Sequence, residues 1–458
     1  MRPIFILLLM LLPSCMLGPE PASPAGGAPS GIRGDAQPSG SSFGDRAWRQ
    51  VFTDSTLRAL IERALTNNPD LVAASFRIEE ARALAGVSRA DRFPALEGSL
   101  AGVRDVASKN SGQARTERAS SAFAATALLS WEADLWGGIR RSDQAACARW
   151  LEAEFRRDAV QTSLVAAVAG AYIELKNLDE RLAISQRTVT SRRSSLELVS
   201  AQRDGGVSSD LEVGQAEALL GQALVSIPLT ERAIAAKENE IRVLLGDFPG
   251  PVARGGDLEA LARSLKIAGG LPSSLLARRP DIAAADQAFQ AATAEIGVAE
   301  ALRLPRLALT SRGGLASSEL GNLLQADSGT LSLGPSLAGP IFDAGRSGFR
   351  VKAAQARARQ ALAAHEQAAK AAFREAADAI HGHLKSGEII EERLKLVEAL
   401  KKVSLVAQDR FQAGASSYLE VLDAERSLFL AELDLADAQS ERLLAIVLAY
   451  RALGGGWQ

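Results

Sequence analysis

Gly206-Val207-Ser208-Ser209-Asp210-Leu211-Glu212-Val213 recurs 208 residues later as Gly414-Ala415-Ser416-Ser417-Tyr418-Leu419-Glu420-Val421. In each copy a glycine closes one long run. An S-x-x-E capping box, Ser209 to Glu212 or Ser417 to Glu420, opens the next. This is the signature of a sharp turn between two antiparallel helices. No proline occurs between Pro94 and Pro228, and none after Pro340. The runs that lead into the turns therefore read as helices from Arg140 to Arg203 and from Ser347 to Gln412. Each would span about 95 Å at 1.5 Å per residue. Val160, Leu164, Val168 and Tyr172 mark an apolar stripe on the first. A second helix returns from each turn, toward Leu245 and toward Leu453.

Further upstream the pattern repeats again. Asn67-Asn68-Pro69-Asp70-Leu71 matches Arg278-Arg279-Pro280-Asp281-Ile282 at an offset of 211. Ala81, Ala83, Gly86, Val87, Ala90 and Pro94 keep that offset to Ala292, Ala294, Gly297, Val298, Ala301 and Pro305. The chain is a tandem duplication of a unit of about 200 residues. Each unit opens with a helix at its Pro-Asp pair, where proline suits the first turn and aspartate the helix dipole. The helices run to about Arg92 and Arg303. Phe93-Pro94 and Leu304-Pro305 then break them.

Alternating stretches follow. Phe123, Ala125, Ala127, Leu129 and Trp131 share one face, and Leu331, Leu333 and Leu337 oppose Ser332, Gly334 and Ser336. Period two with one apolar face is a strand signal. Pro335 suits a bulge or kink. Weaker partner strands lie near Ala95 to Asp105 and Arg306 to Ala316. Asp134-Leu135-Trp136-Gly137-Gly138 and Asp343-Ala344-Gly345 read as turns. Two strands per unit are marginal in water. Four per chain cannot close a barrel. In a membrane, lipid cannot satisfy an open edge, so several chains would have to share one barrel. Three chains would give twelve strands, within the range of membrane barrels.

Composition excludes more than it suggests. The chain has 458 residues, 47% apolar and 23% charged, with net charge −2. That balance argues against nucleic acid as a partner. Cys15 and Cys147 are the two cysteines, too few for a thiolate zinc site. His381 and His383 are two apart on a helix, about 200° around it, and read as surface residues rather than ligands. No metal, cofactor or catalytic set is expected, so the chain does not read as an enzyme. Cys147 reads as a small buried helix residue. Arg278-Arg279 read as structural hydrogen-bond donors at a helix junction. Gly255-Gly256 and Gly269-Gly270 read as loop punctuation.

At the N-terminus, Arg2 precedes an apolar run from Ile4 to Leu12, too short to span a bilayer as a helix. With Ser14 it fits a secretory signal. Cys15 directly after it looks like a bacterial lipoprotein site, and Met16 in place of aspartate favours the outer membrane. Gly18 to Ser42, rich in Pro, Gly and Ser, reads as a flexible tether. The division is residues 1–14 signal, 15–50 lipidated tether, 51–245 first repeat, 246–270 connector and 271–458 second repeat.

These stretches resemble the outer-membrane factor (TolC-like) family, in its lipoprotein branch that serves multidrug efflux. Leu271-Pro272-Ser273-Ser274-Leu275-Leu276-Ala277-Arg278-Arg279-Pro280-Asp281-Ile282 is similar to its LPSxLLxRRPDI stretch. Gly334-Pro335 and Pro340-Ile341-Phe342-Asp343-Ala344-Gly345-Arg346 resemble its GP and PIFDGGR motifs. Trp131-Glu132-Ala133-Asp134-Leu135-Trp136-Gly137 resembles WELDLFG. Arg410-Phe411 to Gly414, then Tyr418 to Arg426, resemble its tip, Leu453 to Trp457 its end, and Cys15-Met16-Leu17-Gly18-Pro19 its lipidated start.

The resemblance implies a mainly α homotrimer with a small β part. Each chain would give four strands to one outer-membrane barrel and its helices to a periplasmic tunnel. The tunnel would dock onto a periplasmic adaptor (membrane fusion) protein joined to an inner-membrane resistance–nodulation–division pump. By motif, Leu419, Asp423 and Arg426 would form the periplasmic gate. Gly206, Ser208, Ser209, Gly414, Ser416 and Ser417 would form the adaptor-contact tips. Asp423 and Arg426 are spaced i, i+3 and share a helix face, so they can pair. An exit duct for protein secretion with an ABC-type exporter, and a lipid-anchored scaffold without a pore, are the competing functions. Paired strands and duplicated tips count against the scaffold.

Overall fold

The computed structural model describes residues 16–23, 47–108, 110, 119–258, 261 and 279–455. The lipidation candidate Cys15, the stretch from Leu271 to Arg278 and the glycine–tryptophan end at Gly456-Trp457 lie outside the described residues. In chain order the elements are α1 (Trp48–Val51), α2 (Ser55–Asn67), α3 (Pro69–Ala90), β1 (Ala95–Val106) and β2 (Ala119–Ala133). Then come α4 (Gly138–Asp204) and α5 (Asp210–Leu244). The second repeat gives α6 (Pro280–Ala301), β3 (Arg306–Ser317), β4 (Gly329–Ala338), α7 (Arg346–Gln412) and α8 (Tyr418–Ala452). The long helices have 67 residues each, and the returning ones 35 each.

The compact units are not the repeats. One unit takes Arg77–Glu154 and Ala284–Glu366 with the start of the chain; the other takes Phe155–Ala283 and Gln367–Gln458 with the residues up to Phe76. Each unit therefore draws on both halves of the duplication.

The first unit holds one antiparallel sheet in the order β1-β2-β3-β4. Its central junction, β2 against β3, joins the two repeats, with Leu128 opposite Arg312 and Trp131 opposite Leu309. Alternation along the strands sorts the side chains. Leu96, Leu100, Phe123, Leu129, Leu309 and Leu333 fall on one face, while Glu97, Ser99, Thr126, Arg312 and Ser332 fall on the other. Ser99 and Thr126 share a hydroxyl hydrogen bond of 2.9 Å on that polar face. The apolar face is bare, with Leu100 86% and Leu331 73% exposed. The outer edges of β1 and β4 have no strand beside them among the described residues.

The two turn motifs at the foot of the sheet are helix caps. Asp134 accepts hydrogen bonds from the backbone N–H of Ile139 (3.1 Å) and Arg140 (3.0 Å) at the start of α4. Asp343 accepts from Gly345 (3.0 Å) and Ser347 (2.8 Å) at the start of α7. Those N–H donors hold the Asp343 carboxyl below its ordinary range. Each satisfies backbone donors that a helix start leaves orphaned.

The expected free tether is partly fixed. Met16 to Ser23 lie along the first unit, where the Leu17 N–H donates to the Trp136 carbonyl (3.2 Å). Arg141 donates to the carbonyls of Leu17 (3.0 Å) and Gly18 (3.1 Å). Gly18, at φ +83°, crosses Gly297 of α6 so closely that a Cβ on either would sit 2.5 Å from the other segment's backbone. Gly86, the counterpart of Gly297 in the first repeat, faces nothing within 4 Å.

The second unit has the main core. Phe52, Leu57, Ile61, Tyr172, Ile173 and Ile241 are fully or almost fully buried, and the Phe52 ring meets Tyr450 edge-on at 5.5 Å. The short α1 belongs to this core through Trp48 and Val51, so residues 47–50 are not tether. Arg279 is buried and ties three elements. It pairs with Asp281 (2.7 Å) and Glu375 (3.0 Å) and donates to the Ala452 carbonyl at the end of α8 (3.1 Å). Its structural reading is therefore borne out.

A candidate gate at the helical tips

Both turns are built alike. Gly206 and Gly414 adopt φ +76° and +68°, the left-handed region that glycine enters freely. The Val207 N–H reaches back to Gln202 O and the Gly206 N–H to Arg203 O; Ala415 to Arg410 and Gly414 to Phe411 repeat them. This pair of hydrogen bonds is the Schellman ending of a helix. The caps that follow differ. The Ser209 N–H donates to the Glu212 carboxylate (2.8 Å), completing the reciprocal half of a capping box. Ser417 makes no side-chain cap bond, and the neighbouring Ser416 hydroxyl is buried without a partner. The second expected box does not form because Tyr418 turns inward here. Its ring meets Phe411 at 5.3 Å. Ser208 donates to Gln202 (3.2 Å).

Val199, Val213, Ala407, Phe411, Tyr418 and Val421 close a small core that binds the two tips together. Outside it lie the gate candidates. Leu419 is 59% exposed. Arg426 donates to Asp423 at 2.8 Å, and both side chains are more than half exposed. Within one chain this is a solvated pair worth a few tenths of a kcal/mol. Leu419 and Asp423 border a cleft of about 750 Å³ with Val403, Val406 and Arg410.

Behind the gate face sits a buried charged group that sequence reasoning missed. Glu425 accepts from Ser195 and from Gln408, both at 2.8 Å, and its second oxygen has no partner. Arg192 donates to Leu219 O and lies 5.0 Å from the Phe429 ring centroid, with Nε and one Nη unpartnered. Burial pushes the Tyr418 hydroxyl up to about 12, with Glu425 adding to it and Arg192 opposing. Burial lowers the Arg192 pKa, against Glu425 and Tyr418. The seven-residue spacing of Tyr418 and Glu425 put both on the inner face of α8 and was the available signal.

Other candidates fall as follows. His381 is exposed, but His383 is half-buried, and burial with Arg442 nearby lowers its pKa. Cys147 is half-buried rather than buried, with its thiol 3.8 Å from Asp143. Among the described residues no group of three or more His, Cys, Asp or Glu could hold a metal ion. No described helix is long and apolar enough to cross a membrane. The sheet with its one apolar face is a different case.

A family model described as outer membrane efflux protein matches residues 60–247 and 271–455, the two repeats almost end to end. The chain belongs to the outer membrane efflux protein family. It is 35% identical to the outer membrane protein OprJ of Pseudomonas aeruginosa, over 99% of this chain and 95% of that one. It is 34% identical to the solvent efflux pump outer membrane protein SrpC of Pseudomonas putida, over 98% and 97%. Among solved structures, the outer-membrane channel OprN superposes with a TM-score of 0.89 at 31% identity, covering 97% of this chain and all of that one. A CusC transmembrane channel superposes at 0.87 with 32% identity, covering 96% and 100%. This efflux protein is thus an outer-membrane component, as its repeat pattern and motifs had implied.

Proposed function

We propose that three copies of this efflux protein close one twelve-stranded barrel in the outer membrane. Their helices continue it as a periplasmic tunnel, and the whole is the passive exit duct of a tripartite efflux system. The observation that carries this reading is the sheet: four strands, one face rich in exposed leucines, and two outer edges that pair with no strand among the described residues. Such a sheet is unstable in lipid unless its edges are paired, and copies of the same chain offer the matching edges. The polar face, with Glu97, Thr126 and Arg312, would line the water-filled lumen. Lipid on Cys15 would anchor the start of the chain beside the strap at Met16 to Ser23. The tips at Gly206 to Ser209 and Gly414 to Ser417 would meet a periplasmic adaptor protein bound to a resistance–nodulation–division pump. Leu419, Asp423 and Arg426 would ring the closed end, and the adaptor would favour opening by differential contacts. Drugs would pass unchanged.

Purified full-length protein in a planar bilayer should give discrete single-channel steps. Absence of conductance at every protein concentration would leave the lipid-anchored scaffold instead. Crosslinking in cells with a tag after Gln458 should capture an adaptor and a resistance–nodulation–division pump. Capture of an ABC exporter would move the duct to protein secretion.

A further inference from the structure

Pro228 stands inside α5, and α8 has no proline. At the offset of 208 that relates the two tips, its place is taken by Ala436. We infer that the first arm, α4 with α5, is hinged at the level of Pro228, about 30 Å from the turn at Gly206, and that the closed end opens by bending there. The hinge stands on the chain alone. Its use in opening rests on the gate proposed above.

The backbone at this level is loosened in both helices of the arm. Pro228 has no N–H for the Leu224 carbonyl, and its ring crowds that carbonyl. Leu224 is 42% exposed, so water can reach the freed oxygen. Hydroxyls nearby turn back on their own helix. Ser226 donates to the Ala223 carbonyl (2.7 Å) and Thr230 to the Ser226 carbonyl (2.8 Å). On α4, Ser185 donates to the Arg181 carbonyl (2.9 Å), Thr190 to Gln186 (3.1 Å) and Ser194 to Thr190 (3.3 Å). Arg192 of α4 donates to the Leu219 carbonyl of α5 (2.6 Å), so seven residues further along each helix Ser185 and Ser226 lie at one level. Back-bonds of this kind weaken and bend a helix, and proline is a regular cause of kinks.

The second arm has none of these devices at the matching places. At the same offset Ser185, Thr190 and Ser194 become Arg393, Glu398 and Lys402, and Ser226 and Thr230 become Asp434 and Ala438. Packing differs in the same sense. No residue of α5 between Ala223 and Ile241 is buried. Over the matching stretch of α8, Ala436, Ser440, Leu443 and Ile446 are buried. A segment opens most readily where little packing has to be broken. α5 is therefore loose where its ladder is weak, and α8 is packed where its ladder is whole. Two contacts on the tip side of the hinge carry the bend to the gate. Val213 and Ala216 of α5 share the tip core with Val421 of α8. Arg192, bonded to Leu219, lies 5.0 Å from the Phe429 ring centroid on the gate-bearing helix.

The test uses full-length protein in lipid, with amide hydrogen exchange and conductance as separate readouts. Residues 224–232 should exchange about tenfold faster than residues 432–440, and Pro228→Ala should bring the two within about threefold. Similar exchange of the two segments in the unsubstituted chain overturns the hinge. Conductance is measured on the variant Asp423→Ala with Arg426→Ala, whose gain over the unsubstituted chain reports the gate independently. Adding Pro228→Ala should remove about half of that gain or more, because a stiffer arm disfavours the bent state. Adding Gly214→Ala instead should leave the gain, since a Cβ there meets nothing within 4 Å and strengthens α5 away from the hinge. A gain that survives Pro228→Ala overturns the role in opening, and so does an equal loss with Gly214→Ala. No gain in the gate variant removes the gate and the opening role with it, and exchange alone then decides the hinge.

Discussion

Asp423 and Glu425 lie two residues apart on α8 and face opposite ways. Asp423 is in water and holds Arg426; Glu425 is buried and holds Ser195 and Gln408 across two other helices. Their substitutions should therefore separate. Asp423→Ala should change local stability at the tip by no more than about 0.5 kcal/mol, because an exposed pair contributes little. Glu425→Ala leaves Arg192 buried without its counter-charge and should cost about 3 kcal/mol. Amide hydrogen exchange across residues 405–425 would read the difference, and equal exchange in the two variants would refute it. Conductance should order them the other way. Asp423→Ala with Arg426→Ala should raise single-channel conductance, since the gate proposal places three such pairs around one axis. Unchanged conductance would return the pair to a solvated surface role. That Asp423 and Arg426 can pair was legible from their i, i+3 spacing, whereas their nomination for the gate came from the motif they resemble. Arg192 was not legible, because nothing in its neighbourhood marks a lone arginine as buried until the helix opposite it is placed.

At the scale of elements, the strap offers a matched comparison. Gly86 and Gly297 occupy equivalent places in α3 and α6, yet only Gly297 is pressed against other backbone. Gly86→Ala should stabilise by roughly 0.5–1 kcal/mol, the ordinary helix gain. Gly297→Ala should release the strap, and limited proteolysis should then cut near residues 16–23 faster than in the Gly86 variant. Equal cutting would show that the strap is not held there. The long helices were readable almost to the residue, because unbroken proline-free runs end in glycines that must enter the left-handed region. The strands were readable from alternation, since one face meets a different solvent from the other. What escaped was the strap and α1. Their few contacts are long-range and leave no period in the sequence, and a run rich in Pro, Gly and Ser looks equally like a tether. The second capping box failed for a related reason: the tertiary contact of Tyr418 with Phe411 outweighed a local hydrogen bond.

For the whole molecule, the sorting of the sheet faces is the claim with the plainest test. Leu333→Arg places a charge on the apolar face and should cost about 2–4 kcal/mol near the bilayer midplane, abolishing outer-membrane assembly. Ser332→Arg, one residue away on the polar face, should assemble and change only ion selectivity. Assembly of both, measured by fractionation and heat-modifiable migration, would refute the facing. One further consequence follows from the helix lengths. Both arms have 67 residues outward and 35 back, and their tips share a single core. An insertion in one arm alone would stagger the tips and tear that core. A single added residue would also turn everything beyond it by about 100°. Seven residues, close to two turns and about 10 Å, nearly restore the facing. The reach of this protein can therefore be lengthened or shortened in steps of about seven or eleven residues, inserted at the same level in both outgoing and both returning helices. Natural length variants of this duct should differ by steps of that size, written four times over.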